Sequence, residues 1–169
     1  MKSRLLVRVG RRLVHWGGVR IAIADDEAAY FTPQMLQLAE ATGFGAIERH
    51  YKVDHALLSS WIADPPDIVL LDVKGVAEAE VAKDGFGVAT LLAKSTSCYV
   101  VITSAHQFHL KNALRDYDYV LEQRLLTAVD FVDELEVIVD DFFARKSTWV
   151  RRQTFRAGRL LIKASLPKA

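Results

Sequence analysis

Cysteine is nearly missing from this sequence. Cys98 is the only one in 169 residues, which excludes an intrachain disulfide and a cluster of thiolate metal ligands. Long apolar runs are missing too. No stretch approaches the roughly 20 residues that span a bilayer as a helix, so no membrane insertion is expected. The first residues, MKSRLLVRVGRRLVHWGG, are basic and partly apolar, but Arg8, Arg11 and Arg12 interrupt anything that could serve as a signal-peptide core. A cytoplasmic protein is expected. Acidic residues are absent from both ends. Residues 1–20 carry Lys2, Arg4, Arg8, Arg11, Arg12 and Arg20, and residues 145–169 carry Arg145, Lys146, Arg151, Arg152, Arg156, Arg159, Lys163 and Lys168, with no Asp or Glu in either. Those ends hold 14 of the 22 Lys and Arg, leaving 8 against all 21 acids between residues 21 and 144, a difference of −13. The net charge of +1 therefore hides an acidic body with two basic ends.

The body alternates between two periodicities. VRIAIADD (19–26) reads as a buried strand, and Thr32-Pro33 supplies a helix cap and first position. The helix that follows has Met35, Leu38 and Thr42 on one side and stops at Gly43. FGAIERHY (44–51) is a strand of mixed polarity that suits a sheet edge, and HALLSSWIADPP (55–66) is a helix closed by two prolines. DIVLLDV (67–73) is a continuous apolar strand of the parallel-sheet kind. DGFGVATLLAKS predicts a helix with Phe86, Thr90 and Leu91 on one face; CYVVITSA (98–105) is a strand, FHLKNALRDYD a helix and YVL (119–121) a short strand. In the last helix Phe131, Leu135, Ile138 and Phe142 form one stripe, with Val132, Val139 and Phe143 beside it. This alternation predicts an α/β fold: five parallel strands, right-handed crossovers and helices on both faces of one sheet.

In such folds function collects at the carboxyl ends of the strands. The first strand ends in Asp25-Asp26, the third in Asp72, the fourth in Thr103-Ser104. Three carboxylates gathered at one edge repel one another unless a cation lies between them. Oxygen ligation with several waters is what Mg²⁺ prefers. A carboxylate beside that ion can attack phosphorus, because the metal screens the approaching anionic phosphoryl group. The chemistry implied is phosphorylation of an aspartate, with the hydroxyl donating to a phosphoryl oxygen. Plainer readings stand beside it. Asp25 and Asp26 can cap a helix, Asp72 can be a loop residue, Thr103 an ordinary strand-end hydroxyl and Tyr119 plain core. His106 and His109 share a helical spacing, but no third ligand is evident and a solvated helix start accounts for them.

Residues 19–144 resemble a response-regulator receiver domain of two-component signalling. The resemblance rests on IADDE, IVLLDV and VITSA in that order on successive strands, with DGFG at 84–87 resembling the start of the family's third helix. It implies a flavodoxin-like, doubly wound five-stranded sheet. It further implies that Asp72 is the phosphoacceptor and that Asp25, Asp26, Asp72 and the main-chain carbonyl of Lys74 hold Mg²⁺, Asp26 being the more direct of the acidic pair. Thr103 would be the switch hydroxyl, Ser104 would offer its backbone N–H, and Tyr119 would be the aromatic residue that moves with the switch. The implied partner is a sensor histidine kinase or a phosphotransfer protein.

Two features depart from that family. Its lysine at the end of the fifth strand, usually followed by proline, is replaced by Glu122 in DYVLEQR, or by Gln123 or Arg124 if the register shifts. A glutamate near a phosphoryl anion is repulsive by several kcal/mol in a partly buried site; Lys74, Lys83 and Arg124 are the cations that could replace the lysine. The loop VKGVAEAEVAKDG after Asp72 lacks the common proline and is longer than usual for the family.

The expected organisation is a basic extension (1–18), the receiver domain (19–144) and a second basic extension (145–169), too short for a DNA-binding output domain with its own core. The extensions can pair as strands, dock on an acidic surface or contact nucleic acid. The last helix carries apolar residues over a wide arc, which suggests a homodimer through that helix or through the extensions. The leading expectation is a stand-alone, atypical response regulator. A pseudo-receiver that is never phosphorylated and a nucleic-acid-binding protein are the alternatives.

Overall fold

Apolar runs broken by capping residues divide the chain into β1 (Ile21–Ala24), α1 (Pro33–Ala41), β2 (Ile47–His50), α2 (His55–Ala63), β3 (Ile68–Asp72), α3 (Gly85–Ser95), β4 (Tyr99–Ser104), β5 (Tyr119–Glu122) and α4 (Ala128–Ala144). The computed structural model describes residues 17–104, 117–122 and 126–145. Most of both basic extensions, the helix expected at FHLKNALRDYD up to residue 116, His106, His109, Gln123 and Arg124 lie outside them.

Each of these four helices starts on a side chain that accepts a backbone N–H left over in the first turn. Thr32 accepts from Met35, Asp54 from Leu57 and Asp84 from Gly87, while Thr127 and Asp130 cap each other reciprocally. Such a cap stabilises a helix by about 1 kcal/mol, enough to fix where short helices begin.

The strands form one all-parallel sheet in the order β2-β1-β3-β4-β5. The strand order runs one way from β1 to β2 and the other way from β1 through β3, β4 and β5, which makes this a doubly wound sheet with its crevice at the carboxyl edge. Alternate residues of the apolar strands serve opposite faces. Ile21, Ile23, Ile68, Leu70, Tyr99 and Val101 pack with Met35 and Ala39 of α1 and with α4. Ala22, Val69, Leu71, Val100 and Ile102 pack with Leu58 and Trp61 of α2 and with Val88, Ala89 and Leu92 of α3. β2 lies at the sheet edge, as its mixed polarity predicts; none of its four residues is fully buried.

Three sequence expectations need correction. The inward face of α3 is Val88, Ala89 and Leu92, not Phe86, Thr90 and Leu91, which are only partly buried. Gly85 sets this phase: it is buried against the carbonyl of Asp72, so residues three, four and seven positions on share its side. On α1 the buried residues are Met35 and Ala39; Thr42 instead turns its hydroxyl back to the Ala39 carbonyl at 2.9 Å. The wide apolar arc of α4 is covered by the chain itself. Phe131, Val132, Leu135, Ile138, Val139 and Phe142 are all buried, partly on the sheet and partly towards α1, where Phe131 meets Phe31 edge to face at 5.4 Å. Only Val129 and Val137 remain exposed among its large apolar residues, so the surplus that suggested a homodimer is taken up internally. No described helix is long and apolar enough to cross a membrane.

The arginines next to the two junctions with the basic extensions are fastened to the acidic body. Arg20 meets Asp64 at 2.7 Å, and Arg145 meets Asp118 at 3.2 Å and Asp141 at 3.0 Å while lying over the Tyr99 ring.

Candidate functional site

β1 and β3 pair in parallel up to Ala24 and Leu71, which brings Asp25-Asp26 and Asp72 out at the same sheet edge. Asp25 is fully buried. Its backbone N–H donates to the His50 carbonyl at 3.0 Å, and its carboxylate accepts from the Glu27 N–H at 2.8 Å. Asp26 is exposed, and its carboxylate lies against Gly75. A β-carbon at Gly75 would overlap it, and Gly75 has φ of +72°, a conformation that glycine adopts without strain. The peptide carrying the Lys74 carbonyl is thus brought beside Asp26, while the Lys74 side chain is exposed.

Asp72 accepts a hydrogen bond from the Lys74 N–H at 3.1 Å. Its carboxyl is nevertheless pushed up to about 6, first by burial and then by the negative charges of Asp25 and Asp26. Burial of Asp72 beside two other acids disfavours its charged form. Gly85 closes the back of the site, its N–H donating to the Val73 carbonyl at 2.9 Å. Both glycines stand in motifs visible in the sequence, DVKG and DGFG, yet only the folded contacts reveal why they are needed.

Asp72 pairs in register with Thr103, and Thr103 with Leu121. Neighbouring strands are about 4.8 Å apart, so the threonine stands beside the aspartate. Thr103 is fully buried, yet its hydroxyl has no hydrogen-bond partner among the described residues. An unpaired buried hydroxyl costs about 1–3 kcal/mol. Thr103→Val, which keeps the shape and removes that group, should therefore leave stability in urea unchanged or raise it by about 1 kcal/mol; a clear loss would reveal a partner for the hydroxyl. Ser104 is buried beside it.

The fold that carries these residues is similar to that of several solved structures. The receiver domain of NtrX from Brucella abortus superposes with a TM-score of 0.53 at 19% identity over 71% of this chain and 98% of that one. HP1043, an orphan response regulator of H. pylori, gives 0.55 at 12% identity over 73% and 98%, and the response regulator domain of Thermotoga maritima CheB gives 0.54 at 14% over 73% and 96%. The chain has the receiver fold. No protein-family model matches it, and no curated protein is similar by sequence.

On this receiver fold the expected site residues divide into two groups. Asp25, Asp26, Asp72, Lys74, Thr103 and Ser104 all lie at the carboxyl edge of β1, β3 and β4. Tyr119 is elsewhere: it begins β5, opposite Val101, and packs partly buried against the α1–α4 face, where burial and then the charges of Glu134 and Asp141 raise its hydroxyl. The backbone of Glu122 pairs with Ser104, so the position that departs from the family pattern ends β5 at the same edge.

The donors fit a small hard cation better than a softer one. Among the described residues no three His, Cys, Asp or Glu side chains are placed to hold a metal ion by themselves, and Asp25 already accepts the Glu27 N–H. What remains is carboxylate oxygen from Asp26 and Asp72, a main-chain carbonyl and access to water. Mg²⁺ characteristically takes one or two carboxylates and keeps several waters.

Proposed function

We propose that this chain is a response regulator of two-component signalling which accepts a phosphoryl group on Asp72. The observation that carries the reading is the convergence of Asp25, Asp26 and Asp72 at the edge of a receiver sheet, with a buried, unpaired Thr103 hydroxyl on the adjoining strand. In the transfer, a carboxylate oxygen of Asp72 forms a bond to phosphorus as the N–P bond of a phosphohistidine breaks, and the electron pair leaves with the imidazole. The donor is a sensor histidine kinase or a phosphotransfer protein. Asp26, Asp72 and the Lys74 carbonyl would hold Mg²⁺, which supplies screening of the incoming negative charge. Asp25, buried, keeps the site negative and orders the turn into Glu27. Thr103 offers its hydroxyl to a phosphoryl oxygen, the partner it lacks in the resting chain. Glu122 takes the place of the family's lysine, so the readout of phosphorylation runs through different contacts from those of the family.

Incubation with acetyl phosphate and Mg²⁺ should add one phosphoryl group by intact mass, and chelation of the metal should prevent it. If the wild-type chain gains no mass under saturating conditions, the reading fails, and an interaction module that is never phosphorylated takes its place.

A further inference from the structure

The two loops that form the site leave β1 and β3 after those strands have stopped pairing, so something else must set the distance between them. The chain just beyond β2 spans that gap. The His50 carbonyl accepts from the Asp25 N–H at 3.0 Å; three residues later, the Val53 N–H donates to the Val76 carbonyl at 2.7 Å, and the Val53 carbonyl accepts from Glu78 at 3.1 Å. This isolated parallel bridge, Val53 to Ala77, buries Val53 and Val76 completely. It ties down the long segment after Asp72.

A cation stands at each side of the span. Arg49 directs its guanidinium at the carbonyls of Phe31, of Glu27 at 2.9 Å and of Ala28 at 3.4 Å, gathering the loop that follows Asp25-Asp26, and lies over the Tyr51 ring at 4.7 Å. Lys52 donates to the carbonyl of Gly75, the residue after Lys74 and the one packed on the Asp26 carboxylate. One five-residue segment, RHYKV, therefore grips both loops.

We infer that Arg49 and Lys52 are positioning residues that hold these two loops at the spacing at which Asp26, Asp72 and the Lys74 carbonyl share one divalent cation. The inference rests on the Mg²⁺-dependent reading above and adds a device to it: an edge strand whose continuation is a brace across the site. Neither side chain is a ligand. Groups that orient metal ligands from behind change metal affinity by about 10–100-fold when removed.

The test is Mg²⁺ binding by titration calorimetry, with no phosphodonor present. Lys52→Gln and Arg49→Gln should each weaken binding by about tenfold, Lys52→Arg should restore most of it, and the metal-free melting temperature of Lys52→Gln should stay near that of the wild type. A bystander role predicts the opposite sign. Removing a positive charge close to a cation site strengthens cation binding, so equal or tighter binding in Lys52→Gln overturns the brace while leaving the proposed function standing. If Arg49→Gln does not fold, Lys52→Gln, changed at an exposed side chain, decides alone. A wild-type chain that binds no Mg²⁺ overturns both.

Discussion

Asp72→Asn should take up no phosphoryl group from acetyl phosphate and, in the absence of divalent metal at pH 7.5, should melt at a higher temperature than the wild-type chain. The first effect follows from loss of the only oxygen nucleophile in the proposed transfer. The second follows from the direction in which the folded site displaces this carboxyl, from an ordinary 3.8 to about 6. Because the folded chain holds the proton that the unfolded chain has already released, stability declines as pH rises from about 4 to about 6. Above that window the full penalty of burying the charge beside Asp25 and Asp26 is present. A shift of that size corresponds to nearly 3 kcal/mol for a dry site, and contact with solvent at Asp72 reduces it to about 1 kcal/mol. The advantage of Asn should therefore be small at pH 4, grow up to about pH 6 and stay level beyond it. Saturating Mg²⁺ should narrow the gap, since only the wild-type carboxylate gains from the cation. Paired melting curves across pH, with and without Mg²⁺, check all of this; a lower melting temperature for Asn at neutral pH would contradict the electrostatic account.

Gly85→Ala should cost about 3 kcal/mol, which lowers the melting temperature by roughly 9 °C in a chain of this size. Two effects oppose each other. Alanine favours helix over glycine by at most about 1 kcal/mol, and less at the first residue of α3. Against that, the new methyl group would overlap the backbone carbonyl of Asp72, with the α-carbon of Val73 next behind it at 3.3 Å. A flexible side chain could swing aside, but here the obstacle is main chain, at a strand end held in register by β4. Either α3 or the end of β3 must move. Phosphoryl uptake should slow as well, because the carbonyl being displaced belongs to Asp72, the proposed acceptor. Gly87→Ala is a useful contrast: its β-carbon would meet the side chain of Ala82 at 2.9 Å rather than backbone, so a smaller loss is expected.

Much of this architecture was legible because local signals agreed with one another. Thr32-Pro33 marks a helix start by chemistry that acts within three residues, and the structure begins a helix there. The apolar runs around Ile21, Leu70 and Val101 admit only burial on both sides, which requires helices above and below. The carboxyl-edge grouping of Asp25, Asp26, Asp72 and Thr103 follows once parallel order is granted. Less legible were features that depend on contacts between distant segments. The face of α3 is set by Gly85 meeting Asp72, a contact that helical periodicity does not encode. The arc of α4 looked too wide because its second neighbour, α1, lies some ninety residues earlier in the chain. Arg49 reads as a polar residue on an edge strand and Lys52 follows it, and nothing in their spacing announces that they grip loops on either side.

Arg20 and Arg145 also bear on how the molecule can be handled. Asp64 and Asp67, which receive the Arg20 side chain and backbone, precede β3, and Asp118, which receives Arg145, precedes β5. Entry to β1 and exit from α4 thus share the rim where strands begin, separated from Asp72 by the length of a strand, about 15–20 Å. A bead or dye coupled next to either arginine would sit at the end of the sheet opposite Asp72, away from the rim where Asp25, Asp26 and Thr103 gather.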